Sequence, residues 1–241
     1  MIAAYRWDSN WKIFLLVIIL LPLLLRLGFW QLQRADEKRH ILAVYEARQL
    51  QSPLAAGQVN WAGEPETLTG LPVYLEGQYD NRRHFLLDNR VQGGVAGYEV
   101  LTPVTDGQGQ TWLVNRGWLP GFADRSKLPA VDTPQGELRI VGNVYVPLGE
   151  TLLLDEDIWS GQWPQVIQSV AMERAAASLS VELAPYEIRI ADGEPGALQV
   201  NWPAVNVSPA KHTGYAVQWF AMALALLLFW LFSSLKKVAN E

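Results

Sequence analysis

The sequence predicts an α+β membrane protein: two transmembrane helices, N- and C-terminal, flanking an extracytoplasmic, mostly antiparallel β barrel or sandwich domain with one or two helices. Three observations lead there. Apolar runs of membrane-spanning length stand near both ends of the 241 residues. Between them lie many short apolar runs separated by Gly, Pro, Asn and Asp, the pattern of strands and tight turns. Amphipathic helical spacing interrupts that pattern only locally.

The first span is assigned to residues 13–32, "IFLLVIILLPLLLRLGFWQL". About 20 apolar residues cross the hydrocarbon core, and Pro22 is tolerated in such a helix. No small-x-small cleavage site follows, and the chain continues in a helical pattern, so the segment reads as an uncleaved anchor. Residues 33–52 are a helical extension and linker, with Ile41, Leu42 and Tyr45 at helical spacing among charges. The extracytoplasmic domain occupies 53–210. Its strand candidates are "VYLEGQY", "HFLLDNRV", "YEVLTPV", "TWLVNRGWL", "ELRIVGNVYV", "TLLL", "QVIQ", "YEIRIA" and "ALQVNW". The segment "VAMERAAASL", from Val170, is the helix candidate. A second span follows at 213–232, and a cytoplasmic tail at 233–241.

Two spans place both termini on one side and the β domain on the other. Lys236 and Lys237 after the second span argue for a cytoplasmic C-terminus. Arg34, Lys38 and Arg39 after the first span, against Arg6 and Lys12 before it, pull the other way. That rule weakens when a long domain is translocated, so both termini are assigned to the cytoplasm.

Composition and motifs exclude several functions. A net charge of −5 argues against a nucleic-acid partner, which needs a basic face. The absence of cysteine rules out disulfides, thiolate metal sites, a cysteine nucleophile and covalent c-type haem. There is no P-loop, G-x-S-x-G elbow, H-E-x-x-H or dinucleotide fingerprint. Nothing in the residues marks an enzyme. Eleven tryptophans suit a membrane interface.

The pair "LLDNRV" and "LVNRGW" repeats an apolar strand followed by Asn-Arg. The simpler reading has Asn89 and Asn115 making side-chain turns, with Arg90 and Arg116 pairing with carboxylates. The alternative aims both arginines at an acidic partner group. Gly117 reads as a position needing positive φ or close backbone approach.

The candidate binding residues lie where the spans meet the outer face. On a helix starting near Lys211, His212, Tyr215, Ala216 and Trp219 share one side. Arg26, Trp30, Gln31 and Arg34 come to a similar depth on the first span. Packed together, the helices would frame an apolar, aromatic-lined pocket holding an imidazole and guanidinium groups. Two readings stay open from the residues alone. In one, His212 is an interfacial side chain bonded to water or a carbonyl, Arg26 snorkels and the aromatics form a belt. In the other, His212 ligates haem iron and the arginines meet propionates.

The stretches "LGFWQLQRADEK", "LLDNR", "GYEVLTP", "LVNRGWLP" and "HTGYAVQWFAMA", in this order, resemble the surfeit locus protein 1 family of cytochrome c oxidase assembly factors. The resemblance runs from Leu27 to about Ala225 and is loose from about Pro120 to Pro185. It implies a multi-pass protein of the bacterial cell (inner) membrane with a periplasmic domain. The implied partners are the catalytic oxidase subunit, other oxidase assembly factors and the lipid bilayer. It also implies transient binding of haem a with His212 as iron ligand. Trp30, Tyr215 and Trp219 would then line the site, and Arg26 and Arg34 would be available to propionates. Three functions follow as expectations: a haem a chaperone for the oxidase, a cofactor-free assembly scaffold, and, least supported by the residues, a membrane enzyme acting on haem or lipid.

Overall fold

The computed structural model describes residues 5–147, 159–205 and 207–237. A short strand, β1 (Tyr5–Trp7), precedes helix α1 (Trp11–Gln49). Asn10 opens that helix, its side-chain oxygen accepting the Lys12 N–H at 3.0 Å. The first span and the charged extension are therefore one uninterrupted 39-residue helix that carries Pro22 inside it. Arg48, in the last turn, donates to the carbonyls of Thr69 and Glu66.

The β domain begins with β2 (Leu54–Ala55), a 3₁₀ turn at Ala56–Gln58 and a one-turn helix, α2 (Pro65–Leu68). It continues with β3 (Pro72–Tyr79), β4 (Phe85–Gln92), β5 (Val95–Thr105), β6 (Thr111–Pro120) and β7 (Leu138–Tyr145). After β8 (Gln165–Ile167), helix α3 (Met172–Leu179) and β9 (Glu187–Ile190), the chain enters α4 (Pro209–Ser234) and a final strand, β10 (Leu235–Lys237). Segments named from the sequence became these strands with two exceptions. "ALQVNW" makes only an isolated bridge, Trp118 to Gln199, and the strand expected at 151–154 lies outside the described residues.

The strands form one mixed sheet, in the order β2-β3-β7-β9-β6-β5-β4-β8. Most pairings are antiparallel, as expected. Three are parallel: β2 with β3, β4 with β8 and β6 with β9. The expected, mostly antiparallel β domain is one mixed sheet, in which the added β3–β5 pairing closes β3-β7-β9-β6-β5 into a ring. The mixed character has its physical origin in the long connections. Antiparallel neighbours can be joined by tight turns, whereas parallel ones need long crossovers, and β8 and β9 both arrive after such excursions. A further pairing of the end of β3 with the end of β5 bends the sheet back on itself.

The β5–β6 hairpin shows the local logic. Asp106 accepts the N–H groups of Gln108 and Gln110 at 2.8 and 2.9 Å, and Gly109 takes φ +86°. An Asx-type turn followed by a left-handed glycine therefore sets the register of Thr105 opposite Thr111. On β6 every residue from Thr111 to Trp118 is buried. Alternate side chains serve opposite faces. Trp112 and Val114 join Val73, Val104, Ile140, Ile188 and Ile190, while Leu113 joins Phe85, Leu101, Ile167 and Leu179. Each such side chain contributes about 1.5–3 kcal/mol of burial free energy.

Two compact units result: residues 1–44 with 203–241, and residues 45–202. In the first, β1 pairs antiparallel with β10. Trp230 packs edge-on against Trp7 with centroids 5.4 Å apart, and its indole N–H donates to Ser9 Oγ at 3.2 Å. Of the tail expected at 233–241, residues 233–234 end α4 and 235–237 form β10, and 238–241 lie outside the described residues.

Candidate functional site

Helices α1 and α4 touch through side chains along a seam: Gln31 with His212, Arg39 with Thr213, and Phe220 with Gly28 and Phe29. On α1 the seam passes through Gly28, Gln31 and Ala35; on α4 it passes through His212, Ala216, Trp219 and Ala223. These recur at alternating steps of three and four, the spacing that keeps one face toward a partner helix. Ala35, Ala216 and Ala223 are 0, 1 and 3% exposed on helices whose other apolar side chains are largely open. Small residues let apolar helices approach closely. At Gly28 the notch is filled by Phe220: a Cβ there would stand 2.5 Å from the ring.

His212 occupies the outer end of this seam, half-buried. Its Nδ1 lies 2.8 Å from Gln31 Oε1. With the amide oxygen assigned to face the ring, the matching neutral tautomer is Nδ1–H, which leaves the ring lone pair on Nε2. One residue further on α4, Thr213 Oγ1 accepts from Arg39 Nη2 at 3.2 Å and itself donates to the Pro209 carbonyl. Arg39 also pairs with Asp36.

The other expected residues flank this contact. Trp30 lies one position before Gln31, about 100° around the helix, and is 46% exposed. Arg34 sits one turn on, its guanidinium 5.8 Å from the Trp30 ring centroid and 2.6 Å from Glu37. Arg26 is exposed on the same i, i+4, i+8 stripe and points away from the seam. On α4, Tyr215 is 49% exposed beside His212, and Trp219 is half-buried. The structure thus joins His212 to α1 directly and sets Trp219 on the seam. Trp30, Arg34 and Tyr215 face outward, and the pocket expected between the helices is closed at the level of Gly28 by Phe220.

Sequence reasoning placed Gln31 at the right depth but gave it no role, and passed over Arg39. Gln31 was legible only from the seam: it falls three residues after Gly28 and four before Ala35.

Neither other histidine resembles His212. His40 is exposed on α1. His84 is buried in the β domain, 3.3 Å from Thr102 Oγ1, and burial, with Arg116 nearby, holds it below the ordinary imidazole pKa. Among the described residues no cluster of three or more His, Asp or Glu is arranged to hold a metal ion. A metal at His212 would therefore come as part of a cofactor. The donor types are ones haem could use: an imidazole whose Nε2 is unbonded among the described residues and aromatic surface on both helices, with Arg34 and Arg39 nearby but already paired with Glu37 and Asp36.

Two helices long and apolar enough to cross a membrane, with only 11% of each apolar window buried, flank a mixed-sheet domain, and the one histidine they share is oriented by a partner helix. That defines a mixed-sheet protein bracketed by two helices of membrane-spanning length and composition, with a polar contact between them. The SURF1 family model matches residues 18–224, and the chain belongs to this family of oxidase assembly factors. It is similar to a SURF1-like protein of Rickettsia felis, 28% identical over 225 residues, covering 90% of this chain and 94% of the relative. A SURF1-like protein of Rickettsia conorii is 29% identical over 227 residues (89% and 88% covered), and one of Monosiga brevicollis is 25% identical over 222 residues (86% and 81% covered).

Proposed function

We propose that this protein is a cytochrome c oxidase biogenesis factor of the bacterial inner membrane, with its β domain on the periplasmic side. It binds haem a transiently and assists its insertion into the catalytic oxidase subunit. Membership of an assembly-factor family supports the pathway. The observation that carries the cofactor is the His212–Gln31 contact, which leaves Nε2 uncommitted at the seam of two apolar helices.

When bound, haem a would supply an iron able to take an imidazole nitrogen as ligand. The chain's own residues do the holding. His212 presents Nε2; Trp219, Tyr215 and Trp30 offer apolar and aromatic surface. Arg34 stands about 4.5 Å further along α1 than Gln31, toward the polar end, and Arg26 about 7.5 Å in the other direction, at 1.5 Å per residue. Arg34, with Arg39 beyond it, is therefore better placed than Arg26 to meet ionised propionates. A single protein ligand on an open flank suits a carrier that must release its cargo.

The test is to purify the protein from cells making haem a and record its absorption spectrum. The wild type is expected to carry haem a and His212→Ala to lose most of it; equal loading of both would remove haem ligation from this reading.

A second reading has its own support, since His212 already spends one nitrogen in an interhelical bond. As a cofactor-free scaffold, the protein would use that bond only to clamp its helices while stabilising partly built oxidase subunits. Restoration of oxidase in a deletion strain by haem-free His212→Asn, which keeps an amide able to bond Gln31, would favour the scaffold.

A further inference from the structure

We propose that Gln31 is a positioning residue for His212: it holds the imidazole in the Nδ1–H tautomer and fixes the ring so that Nε2 faces the flank of the helix pair. This rests on the haem reading above for its purpose, and on geometry alone for its substance.

The contact is set by the fold rather than by flexible side chains finding each other. Gln31 and His212 are 181 positions apart and meet because both stand on the seam. Ala35 and Ala216 are fully buried within one turn of them, and Phe220 seats in the Gly28 notch. The amide then has one consequence. A neutral imidazole carries a single N–H, and an acceptor facing Nδ1 places it there. With no acceptor the ring could place its proton on either nitrogen, and the Nε2–H form has no lone pair at the outward position.

The choice of an amide also has meaning. Ligating histidines usually donate their second N–H to a carboxylate or carbonyl, which orients the ring and raises its basicity. A carboxylate would do so more strongly; glutamine orients the ring with a neutral acceptor. It also avoids placing a charge on the seam, where an unpaired carboxylate would be costly. Gln31 therefore favours orientation over grip.

The experiment uses the full chain in detergent or nanodiscs, labelled with ¹⁵N-histidine. First, in haem-free protein, ring nitrogen shifts report the His212 tautomer, assigned by comparison with His212→Ala. The wild type is expected to show Nδ1–H, Gln31→Leu a mixture or the Nε2–H form, and Gln31→Glu a restored Nδ1–H form. Second, haem a is titrated into each. Gln31→Leu is expected to bind about 10–100-fold more weakly than wild type, with an altered spectrum. Gln31→Glu is expected to bind at least as tightly as wild type, with a lower midpoint potential. Wild-type tautomer in Gln31→Leu would overturn the proposal, whatever haem does. Unchanged haem a binding in His212→Ala would overturn the haem reading, while the tautomer measurement would still decide whether Gln31 orients the ring. Should Gln31→Leu fail to fold, Gln31→Glu carries the test: an unchanged midpoint potential in that variant counts against it.

Discussion

Asp80 accepts the backbone N–H groups of Arg82 and Arg83 at 2.9 and 3.1 Å and the Arg83 Nε at 2.5 Å. Burial alone would raise its pKa; these donors outweigh burial and hold it below 3.8. Arg83 in turn donates to the Leu179 carbonyl at the end of α3, so one carboxylate ties the β3–β4 turn to the helix. A depressed carboxyl pKa contributes stability that is present above the unfolded value and is lost as pH falls through the folded one. Asp80→Asn is expected to cost about 1 kcal/mol near neutral pH. Thermal melts should show the difference from wild type closing as pH drops below 3.8. At this scale the sequence was partly legible. Gly117 has φ +105°, and a Cβ would stand 2.7 Å from the Gln199 carbonyl oxygen: positive φ and close approach both apply. The Asn-Arg echo divides. Asn89 takes φ +60° at a bulge and Arg90 lies 3.6 Å from Glu99, as the turn-and-pair reading expects. Asn115 and Arg116 are buried within β6; Asn115 Oδ1 accepts the Gly117 N–H at 3.2 Å, the side-chain turn expected, but Arg116 meets carbonyls rather than a carboxylate. Arg116 donates to the Gly196 and Asp132 carbonyls and to Thr133 Oγ1, and its guanidinium lies 5.2 Å from the Tyr79 ring centroid. Burial depresses its pKa and pushes the Tyr79 phenol up to about 12. The same dipeptide does different work because only the neighbouring strands decide which face is covered.

Among elements, the proposed haem site rests on the helix pair. The Phe220 ring seated against Gly28 makes that glycine the sensitive position. Gly28→Ile would displace Phe220 and part the helices, separating Gln31 from His212. Loss of the orienting contact is expected to weaken haem a binding by about 10–100-fold, with β-domain unfolding unchanged. Haem titration alongside the thermal melt checks both; wild-type haem affinity in this variant would show that close helix approach is not required. The elements themselves were readable where period and length were strong. The two apolar runs became α1 and α4, and "VAMERAAASL" became α3. Less readable were α1's continuity through its charged half and the pairing of β1 with β10. A three-residue strand has too little pattern to register before its partner is known.

For the whole molecule, the orientation of the chain is the open physical quantity, and the absence of native cysteine makes it directly measurable. With Gln108→Cys, at the exposed β5–β6 turn, a membrane-impermeant maleimide is expected to label intact spheroplasts. With Arg6→Cys it is expected to label only after lysis. The reverse pattern would place the β domain in the cytosol and end the periplasmic account. What the sequence by itself determined was the set of parts: two apolar helices, a strand-rich stretch between them, and a histidine at the start of the second helix. Hydropathy, periodicity and turn chemistry are local properties, and they are written in neighbouring residues. Only the tertiary structure decided that the strands form one mixed sheet with parallel pairs, that Arg116 points inward, and that Gln31 rather than an arginine meets His212. Those outcomes depend on which distant surfaces bury each other, and a contact spanning 181 positions leaves no local pattern to read.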